Sequence, residues 1–152
     1  MAVMLKSLHI IGVCLFIGNI IVSALWKVMA DRTRSFSVVH FATRLVNVTD
    51  VVFTGLGVTL LLVTGHLLAR YYGGVLSQPW ILWSYALFGV SGAIWLFMLV
   101  PIQLKQARLL RTSQQETIPD EYYRLARLWS WAGTVATLVP LPAVYLMVSK
   151  GA

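Results

Sequence analysis

Charge is scarce in this chain: 11% of its 152 residues are charged, with 12 Lys or Arg and 5 Asp or Glu. Soluble domains carry about 25%, so a water-facing shell cannot be built all round this one. Cysteine is nearly absent. Cys14 stands alone, which excludes an internal disulfide and leaves no second thiolate for a zinc or iron–sulfur site. There is no paired carboxylate, no Ser–His–Asp set and no phosphate-cradling glycine loop, so hydrolysis and phosphoryl transfer have no support. Met1, Met4, Met29, Met98 and Met147 are too scattered for a copper site.

What the chain does have is apolar length. It is 59% hydrophobic with a mean hydropathy of +0.79. Four runs, near 4–28, 49–70, 79–103 and 124–149, reach the ~20 residues a helix needs to cross a bilayer. Only helices suit these spans, because each must satisfy its own backbone hydrogen bonds in lipid. The first run is longer than the core of a secretory signal and lacks a small-residue cleavage site, so it is expected to be retained. The reading is an all-α, up-down four-helix bundle, with residues 1–152 forming a single four-span transmembrane domain.

The basic residues set its orientation. Lys27, Arg32, Arg34 and Arg44 lie in the first interval, and Lys105, Arg108, Arg111, Arg124 and Arg127 in the third. Only Lys6, Arg70 and Lys150 lie on the other side. Nine against three predicts a multi-pass protein with both long loops in the cytoplasm and both termini outside, which in a bacterial inner (plasma) membrane means periplasmic. The net charge of +7 thus belongs to the loops and does not signal nucleic acid.

Local signals refine the plan. Phe36, Val39, Phe41 and Leu45 alternate with polar residues, which predicts a short amphipathic segment in the headgroup layer. Asn47, with Asp50 three residues on, reads as a cap opening the second span. Pro101 marks the inner end of the third span, and Pro119 precedes the fourth. Pro140 and Pro142 each remove a backbone donor and predict a kink beside the outer histidines.

His9 and His66 carry the chemistry. At ~1.5 Å per residue, His9 lies ~7 Å below the outer end of the first span and His66 ~6 Å below that of the second. Two imidazoles at one level on antiparallel neighbours predict the axial ligands of one haem b. Gly12 and Gly65 leave room beside them, and Thr59 and Thr64 would shape the pocket. Gly55, Thr59 and His66 share one helix face by spacing. The bland reading is that each histidine hydrogen-bonds a carbonyl or water and binds nothing. His40 has no partner at its depth and reads as an interfacial histidine near phosphates. Asn19, deep in the first span, reads as a packing residue bonded across helices. Lys6, three residues before His9, either assists a propionate or snorkels to the surface.

The opening LKSLHIIGVCLFIGNIIVSALWKV resembles the first span of HemJ-type protoporphyrinogen oxidases and related CopD-like membrane domains. Arg44-Leu45-Val46-Asn47 and the glycine-bearing helix after it resemble their second span. Most of the chain also resembles a family of bacterial predicted integral membrane proteins of unknown function, through Thr49–Thr54 and Thr64–Gly65. The HemJ likeness implies a haem b ligand at His9 and oxidation of protoporphyrinogen. That family's early third-span lysine has no counterpart in Trp80-Ile81-Leu82-Trp83-Ser84. The functional expectation is a haem b-binding protein with an electron-transfer or oxidoreductase role near the periplasmic face. Its partners would be the lipid bilayer and a redox partner or quinone, and self-association into a homo-oligomer is compatible with it. The alternative is a non-enzymatic membrane module, either a partner subunit or a small transporter, without a cofactor.

Overall fold

The computed structural model describes residues 1–113 and 117–149; Lys150, counted above in the charge bias, lies outside them. Four helices carry the four apolar runs: α1 (Ala2–Thr33), α2 (Phe36–Tyr72), α3 (Pro79–Thr112) and α4 (Asp120–Ser149). Each is long and apolar enough to cross a membrane, and the described residues include no strand. Lys6 and Val148 line one cavity, so the start of α1 and the end of α4 share one end of the bundle, here the terminal end. The opposite, basic end carries the arginines of the two charge-rich intervals.

The helices extend well beyond the apolar runs, and this overturns one expectation. Residues 36–47 are not a separate segment in the headgroup layer. They are the first turns of α2, joined to α1 by Arg34 and Ser35 alone. Arg34 takes the left-handed conformation, φ 53°, that lets so short a link reverse the chain. Val39, Ala42, Thr43 and Val46 form the buried stripe, at helical spacing, while Phe41 is exposed. No proline or glycine lies between Thr33 and Phe53, so nothing there stops a helix. The proposed cap at Asn47 and Asp50 is therefore a helix interior: Asp50–Thr54 is a π-helical turn within α2. A second π-helical turn, Trp95–Leu99, interrupts α3. Such turns insert one residue and rotate the remainder of the helix, frequently at functional sites.

Packing begins with two glycines. A Cβ on Gly57 would stand 2.8 Å from the backbone N of Phe16 and 3.0 Å from the carbonyl of Gly12. Only glycine lets α1 and α2 touch backbone to backbone at this crossing. Toward the basic end, Val46, Leu99, Ile102, Trp129, Ala132 and Ala136 form one apolar core, and Val39, Leu110, Tyr122 and Ala126 a second. At the terminal end α2 and α3 are joined by a turn through Gly73 (φ 86°) and Gly74 (φ 107°), with Tyr72 set edge-on to Trp80 at 5.3 Å.

The prolines of α4 act as expected. Its helical bonding breaks at Val139–Pro140, between Asp120–Leu138 and Leu141–Ser149. Pro140 has no N–H to offer the carbonyl four residues back, that of Ala136. The buried hydroxyl of Ser91, on α3, donates to that carbonyl instead at 2.6 Å.

Candidate functional site

The α1–α2 crossing positions the site. One to two turns beyond the Gly12–Gly57 contact, towards the terminal end, α2 presents Thr64 and Gly65 to His9 on α1. A Cβ on Gly65 would lie 3.2 Å from His9 Cε1, so the imidazole rests against a bare stretch of helix.

His9 Nδ1 is 2.8 Å from Thr64 Oγ1. Thr64 is buried, and its hydroxyl hydrogen is donated to the carbonyl of Leu60. A hydroxyl carries one hydrogen, so towards His9 the oxygen can only accept. Nδ1 therefore bears a proton. In the neutral imidazole the lone pair is then on Nε2, which has no hydrogen-bond partner among the described residues.

His9 lines two adjoining cavities. The deeper, about 70 Å³, is walled by Phe16, Leu61, Phe88, Pro140, Val144 and Met147, with Gly65, Ser84 and Tyr85. The outer, about 360 Å³, shares His9, Gly65, Ser84, Tyr85 and Met147 and adds Lys6, Tyr72 and Trp80 at its mouth. Of the two, only the outer reaches the ~300–1,000 Å³ of small-molecule sites. The lining is apolar apart from His9, the hydroxyls of Ser84 and the tyrosines, and the Lys6 ammonium. The break at Pro140 sends Leu141–Ser149 over this space as its fourth wall.

Of the residues named from sequence, the structure brings together His9, Thr64 and Gly65, with Lys6 lining the outer cavity beside them. His66 is exposed and lines neither cavity. It stands two residues past Thr64, about 200° round the helix. Thr59 is likewise exposed, its hydroxyl turned back to the carbonyl of Gly55. The face shared by Gly55, Thr59 and His66 does exist, but it points away from α1, and a Cβ on Gly55 would meet nothing within 4 Å. Gly12 belongs to the helix crossing rather than to the cavity, since a Cβ there would meet Leu60 and Gly57. His40 stacks on Phe36 at the basic end, 5.8 Å between ring centroids.

Tyr85 is the residue that sequence reasoning passed over. Its hydroxyl is buried in both cavities without a hydrogen-bond partner. The available signal was that it is the one tyrosine in α3. Among the described residues no three His, Cys, Asp or Glu side chains gather as a metal-ion cluster.

A family model described as "Predicted integral membrane protein" (DUF2269) matches residues 3–151. No curated protein and no solved structure matches the chain.

Proposed function

We propose that this chain, which belongs to the DUF2269 family of predicted integral membrane proteins, binds one haem b in the cavity around His9. The single observation that carries the reading is the chain of bonds from His9 through Thr64 to the Leu60 carbonyl. Metal-ligating histidines characteristically donate their second ring nitrogen to a fixed acceptor, which sets the tautomer and makes the ligating nitrogen more basic. Thr64 does this for Nδ1 and leaves Nε2 for iron.

The other residues fit the same group. A porphyrin brings four of its own nitrogen ligands, so one imidazole is enough to anchor it. Gly65 leaves the ring space that a side chain would fill, Phe16 and Phe88 offer flat apolar walls, and Lys6 stands at the mouth where propionates would emerge. The buried Tyr85 hydroxyl is a donor in need of an acceptor.

A bound haem b would supply a one-electron Fe(III)/Fe(II) couple. Among the described residues His9 would be its one protein ligand, because His66 faces outward. Held by a single protein ligand, a haem would be suited to oxidoreductase chemistry with a small substrate rather than to electron transfer alone. By the charge bias this site lies near the periplasmic face of a bacterial inner membrane.

The experiment is absorption spectroscopy of the protein purified after expression with ample haem. A Soret band that is lost in His9→Ala supports the reading. Colourless wild-type protein overturns it and favours the cofactor-free membrane module.

A further inference from the structure

Below the cavity, towards the basic end, all four helices turn polar side chains into the core. The upper set centres on Asp50, 6% exposed. Its Oδ1 accepts from Asn19 Nδ2 at 2.8 Å, and its Oδ2 accepts from Gln103 Nε2. Asn19 Nδ2 also reaches Thr54 Oγ1 at 2.9 Å. The lower set centres on the Tyr122 hydroxyl, which accepts from Lys27 Nζ at 2.7 Å and donates to Asp31 Oδ1 at 2.7 Å. Thr43 Oγ1 lies 3.1 Å from the same hydroxyl.

Two orphans lie between these sets. Gln106 is wholly buried and neither of its amide atoms has a partner, and Asn47 Oδ1 is also buried and unpartnered. Gln106 follows Gln103 by one turn on α3, and Asn47 falls between Thr43 and Asp50 on α2. At ~1.5 Å per residue, the upper and lower sets are separated by about 10–12 Å, with the orphans at intermediate height. Buried amides without partners mark places for water. Asp31, whose side chain is 17% exposed, opens the lower set to solvent.

The charges of the two sets differ. Lys27 and Asp31 balance each other, with 3.9 Å between Nζ and Oδ2. Asp50 pairs with no cation among the described residues. Its polar neighbours are Asn19 from α1, Thr54 from its own helix and Gln103 from α3, and the cavity it lines with α1, α3 and α4 adds Ser23, Trp95, Trp129 and Ser130; none carries charge. A lone buried carboxylate is costly, and binding a proton removes that cost.

We propose that Asp50 is a proton-binding carboxylate, loaded from the basic end through a hydrated column running by Asp31, Tyr122, Gln106 and Gln103. One proton from bulk water adds to a carboxylate oxygen, giving a neutral acid; no electron moves. Asp50 follows Val46 by four residues, so the buried stripe of α2 carries its side chain into the core. By the charge bias the entrance is cytoplasmic. The column shares no residue with the His9 cavity, so it stands whether or not a haem binds there.

The test is pH-difference infrared spectroscopy on the full chain in neutral phosphatidylcholine vesicles. The expected result is a protonated-carboxyl C=O band that titrates, shifts in D₂O and is missing from Asp50→Asn. Asp50→Glu should restore such a band at a shifted frequency. In Gln106→Leu the band should persist, but its rise after an acid jump should slow about 10²-fold, the lower range for one placed proton-transfer group. Three outcomes would overturn the proposal: a band unchanged in Asp50→Asn, an unchanged rate in Gln106→Leu, or loss of the band on adding sodium at fixed pH, which would make Asp50 a cation site.

Discussion

Thr64 stands between His9 and the backbone of its own helix, accepting from the imidazole at 2.8 Å and donating to the Leu60 carbonyl. One hydroxyl thereby fixes both the rotation of the ring and the nitrogen that carries its proton. Thr64→Val keeps the shape and removes the acceptor. Haem affinity, measured by spectral titration, should fall about 10–100-fold, the usual cost of losing such a partner. Thr64→Ser should keep most of it.

The two outer histidines should behave differently. His9→Ala should abolish the haem spectrum, whereas His66→Ala should leave the Soret and reduced α/β bands in place, because His66 lies on the exposed face of α2. Loss of the spectrum in both variants would require α2 to rotate from its present setting, and crosslinking between cysteines placed at positions 9 and 66 would detect that.

Gly65 lends itself to a steric test. A methyl there already comes within 3.2 Å of His9 Cε1, and a larger side chain must enter the cavity. Gly65→Leu should eliminate binding while leaving the helical circular dichroism of the protein unchanged, since Leu is a better helix former than Gly.

The helix crossing should respond the other way. Gly57→Ala brings a Cβ to 2.8 Å from the backbone N of Phe16, and backbone cannot swing aside as a side chain can. Forced separation of α1 and α2 should destabilise the fold by roughly 1–3 kcal/mol, read as earlier unfolding in mixed-micelle SDS titrations, with Gly18→Ala as the neutral control.

Lys27 is buried against Tyr122 and lies 4.8 Å from the centre of that ring. Lys27→Met leaves Asp31 without its cation. Because Asp31 keeps some exposure, the cost should be on the order of 2–3 kcal/mol, below the 3–5 of a fully buried pair. The double variant Lys27→Met/Asp31→Asn should recover much of it in the same unfolding titration.

Hydropathy and length were enough to identify the four helices, because lipid allows a long apolar segment no other structure. Pro140 and Pro142 likewise announced the break in α4, a purely local consequence of a missing N–H. The extent of α2 was harder to read. Polar residues between 36 and 50 look like a segment lying at the membrane surface when they are taken alone, but here they face neighbouring helices that run as far as α2 does. Depth along a helix could be counted for His9 and His66; rotation about the helix axis could not, since hydrophobic residues cover both the lipid and the core faces. That is why Thr64 and Gly65 meet His9 while His66, next along the chain, does not. Tyr85 and the Asp50 network depend on contacts between residues far apart in sequence, and no local pattern encodes those.

The bond from Ser91 to the Ala136 carbonyl has an implication for how the sequence can change. Ser91 supplies from another helix the donor that proline withholds, so positions 91 and 140 answer a single requirement between them. Exchanging Pro140 for a residue with an amide hydrogen would put two donors in competition for one oxygen, and removing the serine alone would strand that oxygen in the interior. Substitutions at the two positions should therefore be far from additive, and descendants of this chain that straighten α4 are expected to have lost the serine as well.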